Sequence, residues 1–356
     1  MRSWPVLVLV GACFAPRPAP GAPCGLGGEC PNGLICAVDG RCELVAGAID
    51  AAPAADGDLL VDAQPHPDGQ ILHDAPVLAD ASIDGAGPPK TCWNAWQSGT
   101  PVLSAPALVA ELSSTTDEGD PSLSGDALTL YFQRGFDLFS AKRPARGAPF
   151  AAPVAIAELN SAQEETKLSV SADGLTAVLA SKRGILTDSN LYECDRATAG
   201  AAFGAPSTTP FPNAIDDVNQ QLDPDLSASG LVLYYSNTGI GGLAQGISRT
   251  QRTSTGAIFD APTAVPITDT SGAIADPAVS PDERAILFST NPPNNDIFLA
   301  TRATATGTFA NPIALTTINS TALDGDPALS RDGCELFFMS NRAGSRALYR
   351  ATVTPQ

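Results

Sequence analysis

Five copies of a paired motif, recurring about every 50 residues through the last three quarters of the 356-residue chain, predict an all-β fold. The expected architecture is a five-bladed β-propeller of four-stranded blades, closed by the N-terminal strand of the repeat region. A Cys-rich mini-module and a disordered Asp/Ala/Pro linker precede it. Three observations carry this reading: the motif pairs keep near register, each is followed by a turn signal, and the two ends of the repeat region lack complementary strands.

The chain starts with one positive charge at Arg2, an apolar run from Trp4 to Val10, and then Val10-Gly11-Ala12-Cys13. This resembles a bacterial lipoprotein signal, in which small residues precede a cysteine that is cut free and lipidated. The resemblance implies a signal over residues 1–12, a lipid on Cys13 and a tether over 13–23. Phe14, rather than Asp, follows that cysteine, which by the same resemblance favours the outer membrane, on its periplasmic or surface side. One such anchor holds a body on a membrane without spanning it, and no apolar run reaches the roughly 18 residues of a spanning helix.

Residues 24–45 contain Cys24, Cys30, Cys36 and Cys42, separated by three five-residue gaps. A zinc site usually shows at least one closely spaced knuckle, and none is present, so no metal is expected. In an exported chain two disulfides are the better reading, with three connectivities open. The segment resembles small Cys-rich modules of secreted myxobacterial proteins. Residues 46–91 then hold eight Asp, no Glu and one Lys. Such a composition cannot bury enough apolar surface to offset its ordering entropy, so it reads as a solvated tether. Within it Asp50, Asp56, Asp62, Asp68, Asp74 and Asp80 recur every six residues, without the spacing of a calcium loop.

Residues 92–356 carry the repeat. Leu103-Ser-Ala-Pro106, Phe150-Ala-Ala-Pro153, Phe203-Gly-Ala-Pro206, Phe259-Asp-Ala-Pro262 and Phe309-Ala-Asn-Pro312 align. Each is followed by a second motif: Asp120-Pro-Ser-Leu-Ser124, Lys167-Leu-Ser-Val-Ser171, Asp223-Pro-Asp-Leu-Ser227, Asp276-Pro-Ala-Val-Ser280 or Asp326-Pro-Ala-Leu-Ser330. The Ser anchors recur after 47, 56, 53 and 50 residues. After each comes a turn such as Asp173-Gly174 or Asp332-Gly333, suited to a tight hairpin because both residue types accept positive φ. An apolar strand follows, such as Leu231-Val-Leu-Tyr-Tyr235, then a third such as Asn190-Leu-Tyr-Glu193. The Phe-x-x-Pro segment is expected as the outermost strand, because Pro is confined to sheet edges. The repeat region begins with that fourth strand alone and ends after a third, so residues 102–112 should complete the last blade. Cys92 and Cys334 flank that closure and are candidates for a disulfide; Cys194 reads as a small buried packing residue.

The Asp-Pro-x-x-Ser-x-Asp-Gly pattern, with Ser340-Asn-Arg342 and Ser181-Lys-Arg183 after the second strand, resembles the WD40-like (PD40) repeats of the periplasmic TolB family. That resemblance implies a propeller. It leaves the function open, because propellers host unrelated activities.

Composition narrows the function further. With 38 acidic and 20 basic residues the formal charge is −18, which argues against nucleic acid and anionic membrane surfaces as partners. Both histidines, His66 and His73, lie in the linker, so His-dependent nucleophilic catalysis and His-ligated metals are excluded from the repeat region. No cofactor motif is present. The candidate binding residues are Asp120, Asp223, Asp276 and Asp326, at equivalent positions on the innermost strands, and Lys167, which replaces the Asp in the second blade. Their repetition fits two roles, a ring of charge at one channel mouth or a backbone-bonding device at each blade junction. Asp117, Glu118, Glu164, Glu165, Asp216, Asp217 and Asp324, in loops just before these strands, are expected as an acidic rim, with Glu118, Glu165 and Asp217 as its binding candidates. The leading expectation is a non-catalytic, envelope-anchored binding or scaffold propeller for a protein or polysaccharide. The alternative is a glycosidase-like enzyme using central carboxylates. A TolB-like partner of peptidoglycan-associated lipoproteins is a third reading that the resemblance implies.

Overall fold

The computed structural model describes residues 91–184, 188–212, 215, 220–237, 246–268, 270, 273–291 and 295–355, together with the backbone of two short strands near the N-terminus. The chain divides into two units, Met1–Ala81 and Ser82–Gln356. In the first, β1 (Leu34–Cys36) and β2 (Cys42–Leu44) pair antiparallel with Cys36 opposite Cys42. The expected signal, Cys13, Cys24, Cys30 and the linker lie outside the described residues, as do the side chains of Cys36 and Cys42.

The second unit opens with a short helix, α1 (Trp93–Gln97), and then β3 (Ala107–Leu108). Five antiparallel sheets follow. Blade 1 holds β4 (Glu118–Leu123), β5 (Thr129–Arg134), β6 (Asp137–Lys142) and β7 (Val154–Ala155). Blade 2 holds β8 (Glu165–Val170), β9 (Thr176–Ser181) and β10 (Asn190–Asp195). Blade 3 holds β11 (Gln221–Leu226), β12 (Val232–Asn237), β13 (Gly246–Gln251) and β14 (Thr263–Ala264). Blade 4 holds β15 (Ala273–Val279), β16 (Ala285–Asn291), β17 (Ile297–Thr301) and β18 (Ala310–Ala314). Blade 5 holds β19 (Asp324–Leu329), β20 (Glu335–Ser340) and β21 (Ala347–Thr352), and β3 is its fourth strand, pairing Tyr349 with Leu108. In blade 2 the fourth strand shrinks to a single bridge, Glu193 to Ser207. The chain is a five-bladed β-propeller closed by its N-terminal strand, as the repeat implies.

Blades pack face to face. The buried apolar residues form five clusters, one at each junction between neighbouring blades. The second strand of each blade serves two junctions at once. In β9, Ala177 and Leu179 point towards blade 1 while Val178 and Ala180 point towards blade 3. This is why these strands read as continuous apolar runs rather than alternating ones.

The two recurrent sequence signals have separate structural causes. At the turn between first and second strands, the Ser hydroxyl donates to the Asp two residues on and accepts from the amide five residues on. Ser124 bonds Asp126 at 2.6 Å and Thr129 N–H at 2.9 Å, and Ser171, Ser280 and Ser330 repeat the pattern. One residue per turn, not two, takes positive φ: Ala127, Gly174, Gly230, Glu283 and Gly333. The Asp-Pro pair is a β-bulge. Gly119 pairs with Gln133 and Ser122 with Tyr131, so Asp120 and Pro121 together face Phe132 alone. Blades 3, 4 and 5 do the same, with each Asp at φ between 52° and 57°. Asp tolerates this left-handed conformation better than most side chains, and the Pro that follows lacks an N–H the broken ladder could not use.

A third repeat is plain only in the structure. Arg143, Arg196, Arg252 and Arg302 each precede a buried Phe by seven residues. Each stacks on that ring, with the guanidinium 4.9, 4.1, 4.4 and 4.1 Å from the centroids of Phe150, Phe203, Phe259 and Phe309. Each also donates from Nε to the carbonyl of the left-handed turn residue, Ala127, Gly174, Gly230 or Glu283. Blade 5 has Val353 at the arginine position. There the Trp96 indole donates to the equivalent carbonyl, Gly333 O, at 2.8 Å. The closing segment thus fills the arginine's role from outside the repeat. A Cys92–Cys334 disulfide, with Cα atoms 5.1 Å apart, fixes it there across 242 residues of chain.

Loop closure on this scale contributes roughly 3–5 kcal/mol. Replacing both Cys92 and Cys334 by Ser should lower the melting temperature by about 5–15 °C in calorimetry, and reductant should reproduce the loss in the wild type only. A double variant that melts with the wild type would remove the staple from this account.

Candidate functional site

The first strands of the blades surround a central channel, and the four Asp-Pro bulges turn Asp120, Asp223, Asp276 and Asp326 towards one mouth. These residues are linked blade to blade. Asp120 N–H donates to Asp326 Oδ2 at 3.1 Å, and Asp326 N–H donates to Asp276 Oδ2 at 3.4 Å. Asp276 N–H reaches Ser236 Oγ of blade 3 at 2.9 Å. The Lys167 backbone amide bonds the Asp120 carboxylate, and the Asp223 and Asp276 carboxyls share a hydrogen bond. The backbone-bonding role and the ring at the mouth are therefore one and the same device.

Burial and the charges of ring neighbours raise three of these carboxyls. Desolvation raises the Asp120 carboxyl to about 6, against the lowering pull of Lys167 and with a further upward push from Asp276. Asp223 and Asp326 are raised well above the usual carboxylate range, first by burial and then by their ring neighbours. Lys167 is buried, its Nζ has no hydrogen-bond partner among the described residues, and its charge acts on Asp120, Asp223, Asp326 and Asp225.

At the ring end the channel widens into a cavity of about 610 Å³, floored by the Asp ring and edged by Asp117, Phe136, Lys182 and Arg346. Phe136, at the tip of the β5–β6 hairpin, is 69% exposed. The opposite end is nearly closed. Arg331 crosses it to donate to Val170 O at 2.8 Å and Leu226 O at 3.2 Å, under Trp93, whose indole bonds Arg331 O. Between Arg331, Lys167 and Asp225 remains a space of 40 Å³, room for little more than a water molecule.

The expected acidic rim needs correction at three residues. Glu118, Glu165 and Asp324 are buried, not solvated. Glu118 pairs with Arg134 at 3.1 Å, and Glu165 pairs with Arg183 at 3.1 Å while accepting from Ser161 and Ser181. Asp324 repeats the arrangement with Arg342 and Ser320. The signal for it is in the sequence, as an acid four residues after a Ser and 16 or 18 residues before an Arg at or just past the end of the second strand. Asp217 lies outside the described residues. Asp117 and Glu164 do line the cavity, as expected of the rim, whereas Phe136 and Arg346 carry no repeat signal. Cys194 is buried with its thiol pushed up to about 12 by desolvation, and so is inert.

Among solved structures, the chain is similar to a thermostable family-43 glycoside hydrolase (14% identity over 68% of this chain and 90% of that one, TM-score 0.50). It is also similar to the GH43_1 enzyme from Xanthomonas citri complexed with xylose (14%, 73% and 95%, 0.51). A putative TolB from Agrobacterium tumefaciens matches at 17% identity over 69% of this chain and 80% of that one, with a TM-score of 0.41. The likeness is one of fold. No family model and no curated protein matches the chain.

Two outcomes follow from the geometry. Carboxyls whose folded pKa is raised bind protons more tightly in the native state, so they destabilise the fold as pH rises from about 4 through 6 and beyond. The melting temperature should therefore rise as pH is lowered from 8 to 5, and Asp223→Asn should raise it at pH 8 while flattening the slope. A flat profile in the wild type would contradict the raised ring. Conversely, Glu165→Lys buries an unpaired like-charge pair with Arg183 and should cost about 3–5 kcal/mol in denaturant titrations.

Proposed function

We propose that this chain is a non-catalytic binding or scaffold propeller of the bacterial envelope, engaging a protein or polysaccharide partner at the cavity over the Asp ring. One observation carries it: the carboxylates that a catalytic reading needs are committed to joining blades. Asp326 and Asp276 accept the amide of the next Asp in turn, so the ring does the same structural work in successive blades. What is left for a partner is the rim, where an exposed Phe136 stands beside Asp117 and Arg346. An exposed aromatic among mixed charges is typical of an interface anchor. The Val10-Gly11-Ala12-Cys13 sequence supports export and lipidation at Cys13, and the Cys92–Cys334 disulfide fits an oxidising compartment.

Glycoside hydrolysis is favoured by one specific observation: Asp120, raised to about 6, lines the cavity with Asp223 and Asp326, which burial and their ring neighbours also hold raised, so that an ionised base and a protonated acid could face one substrate. The two readings separate cleanly. Full-length protein extracted from membranes should capture an envelope component that Phe136→Ala together with Asp117→Lys no longer retains, with melting unchanged. It should leave arabino- and xylo-oligosaccharides intact. Hydrolysis that Asp120→Asn abolishes would decide for the enzyme. Intact mass of the same preparation should show Cys13 as a lipid-bearing N-terminus, and a Cys13 still joined to Ala12 would end that part of the proposal.

A further inference from the structure

Among the four repeated arginines the ion pairing is interrupted once. Arg143 is held by Glu335 at 2.6 Å and Arg252 by Glu193 at 2.7 Å. Arg302 lies 3.6 Å from Glu283. In each case a carboxylate fills the junction between two blades. Arg196, at the junction of blades 1 and 2, makes no ion pair among the described residues. Its Nη2 reaches only Tyr131 Oη, at 3.4 Å.

The junction between blades 3 and 4 shows what is missing. Tyr131 and Tyr234 occupy the same position on the second strand, and Ser140 and Arg249 the same position on the third. Gly174 and Glu283 are the same left-handed turn residue. Between blades 3 and 4, the Glu283 carboxylate accepts from Tyr234 Oη and from Arg249 at 2.7 and 3.1 Å, while Arg302 donates to Tyr234 Oη at 2.8 Å. Between blades 1 and 2, Glu283 is replaced by Gly174 and Arg249 by Ser140. The space those side chains would occupy belongs to an open groove of about 830 Å³. Tyr131, Ser140 and Arg196 line it, and so does Lys142, which also has no ion pair among the described residues. The acids along the groove are each tied to a backbone amide: Asp126 to Leu128, Asp173 to Leu175 and Glu158 to Phe203.

We infer that the groove between blades 1 and 2 is a second binding site, which takes a carboxylate side chain from an acidic segment of a protein partner, seated on Tyr131 Oη and Arg196 as Glu283 is seated in the other junction. The occupant is a glutamyl or aspartyl side chain because the internal template is one, and the groove is long enough for the residues flanking it. Lys142 supplies the second cation that Arg249 supplies to Glu283. The site is separate from the cavity over the Asp ring, so either can fail without the other.

The test is fluorescence anisotropy of a labelled hexaglutamate peptide with the full-length protein at low ionic strength. Tyr131→Phe removes one hydroxyl and keeps the packing, and it should weaken binding about tenfold, the value of a hydrogen bond to a charged group. Gly174→Glu supplies the carboxylate from within and should block the peptide. A Cβ there would meet Ala199 Cβ at 3.1 Å and Arg196 Nη2 at 3.2 Å, so its melting curve is recorded alongside. Tyr131→Phe needs no such control of fit. Failure of hexaglutamate to saturate the wild type, equal binding of hexaglutamine, or affinity indifferent to Tyr131→Phe would each overturn the inference. Capture of oligogalacturonate in place of the peptide would overturn it in favour of a polysaccharide.

Discussion

A blade of this protein can bury its two faces only against its neighbours, so every blade depends on the junction that joins the last to the first. Four junctions link blades consecutive in the chain. The fifth must bring together segments more than 200 residues apart, and the loop entropy of that step opposes it. Three kinds of contact meet it there. The ladder between β21 and β3 continues the sheet through the break. Phe132 and Leu130 of blade 1 pack with Phe337 and Leu348 of blade 5. Arg143 and Glu335, both buried, lock the pair with two hydrogen bonds. The disulfide then acts chiefly on the unfolded chain, and Trp96 supplies the indole that replaces an absent arginine. Without closure the faces of blades 1 and 5 would be exposed together, and a propeller has no separate core to compensate.

What the sequence disclosed is what the repeat enforces. Blade count, turn positions and the closing strand were legible because each is stated several times, and the ends of the repeat complement one another. The burial of Glu118 and Glu165 was not legible in the same way. An acid in a loop before a strand looks solvated until the Arg that covers it, 16 or 18 residues later, is folded back over it by the intervening hairpin. The same holds for the arginine and phenylalanine pair. Its seven-residue spacing is regular, yet only the third-to-fourth-strand connection turns that spacing into a stack. Residues without copies, such as Phe136 and Arg331, could not be found by repetition at all.

Charge at the channel mouth is smaller than the formal count suggests. Four aspartates face one lysine there, but burial keeps Asp223 and Asp326 from ionising readily and leaves Asp120 near 6. A hydrogen bond with the Asp276 carboxyl adds to the upward push on Asp223. The field over the cavity then owes more to Asp117, Glu164, Lys182 and Arg346 at its edge, where the two signs balance and Lys182 pairs with Glu164. A partner chosen purely by opposite charge is a poor match for such a rim. An aromatic platform with polar neighbours suits one that brings both apolar surface and hydrogen-bonding groups.

Departures from symmetry collect in blade 2. It has Lys167-Leu168 in place of Asp-Pro and a fourth strand reduced to one bridge. The first of these can be traced atom by atom. Without the Pro, the bulge shortens to Lys167 alone. Its backbone amide still bonds the Asp120 carboxylate, as Asp326 and Asp120 amides bond the Asp before them. The exchange therefore keeps the inter-blade hydrogen bond and alters only the side chain, replacing a fifth buried carboxyl by an ammonium. A fifth carboxyl would have pushed the ring's protonation higher still. The ammonium instead holds Asp120 low enough to ionise near neutral pH. Substitutions that preserve the backbone scheme while changing the chemistry mark where a repeating scaffold has room to differ, and in this ring they fall on the blade that also borders the open groove.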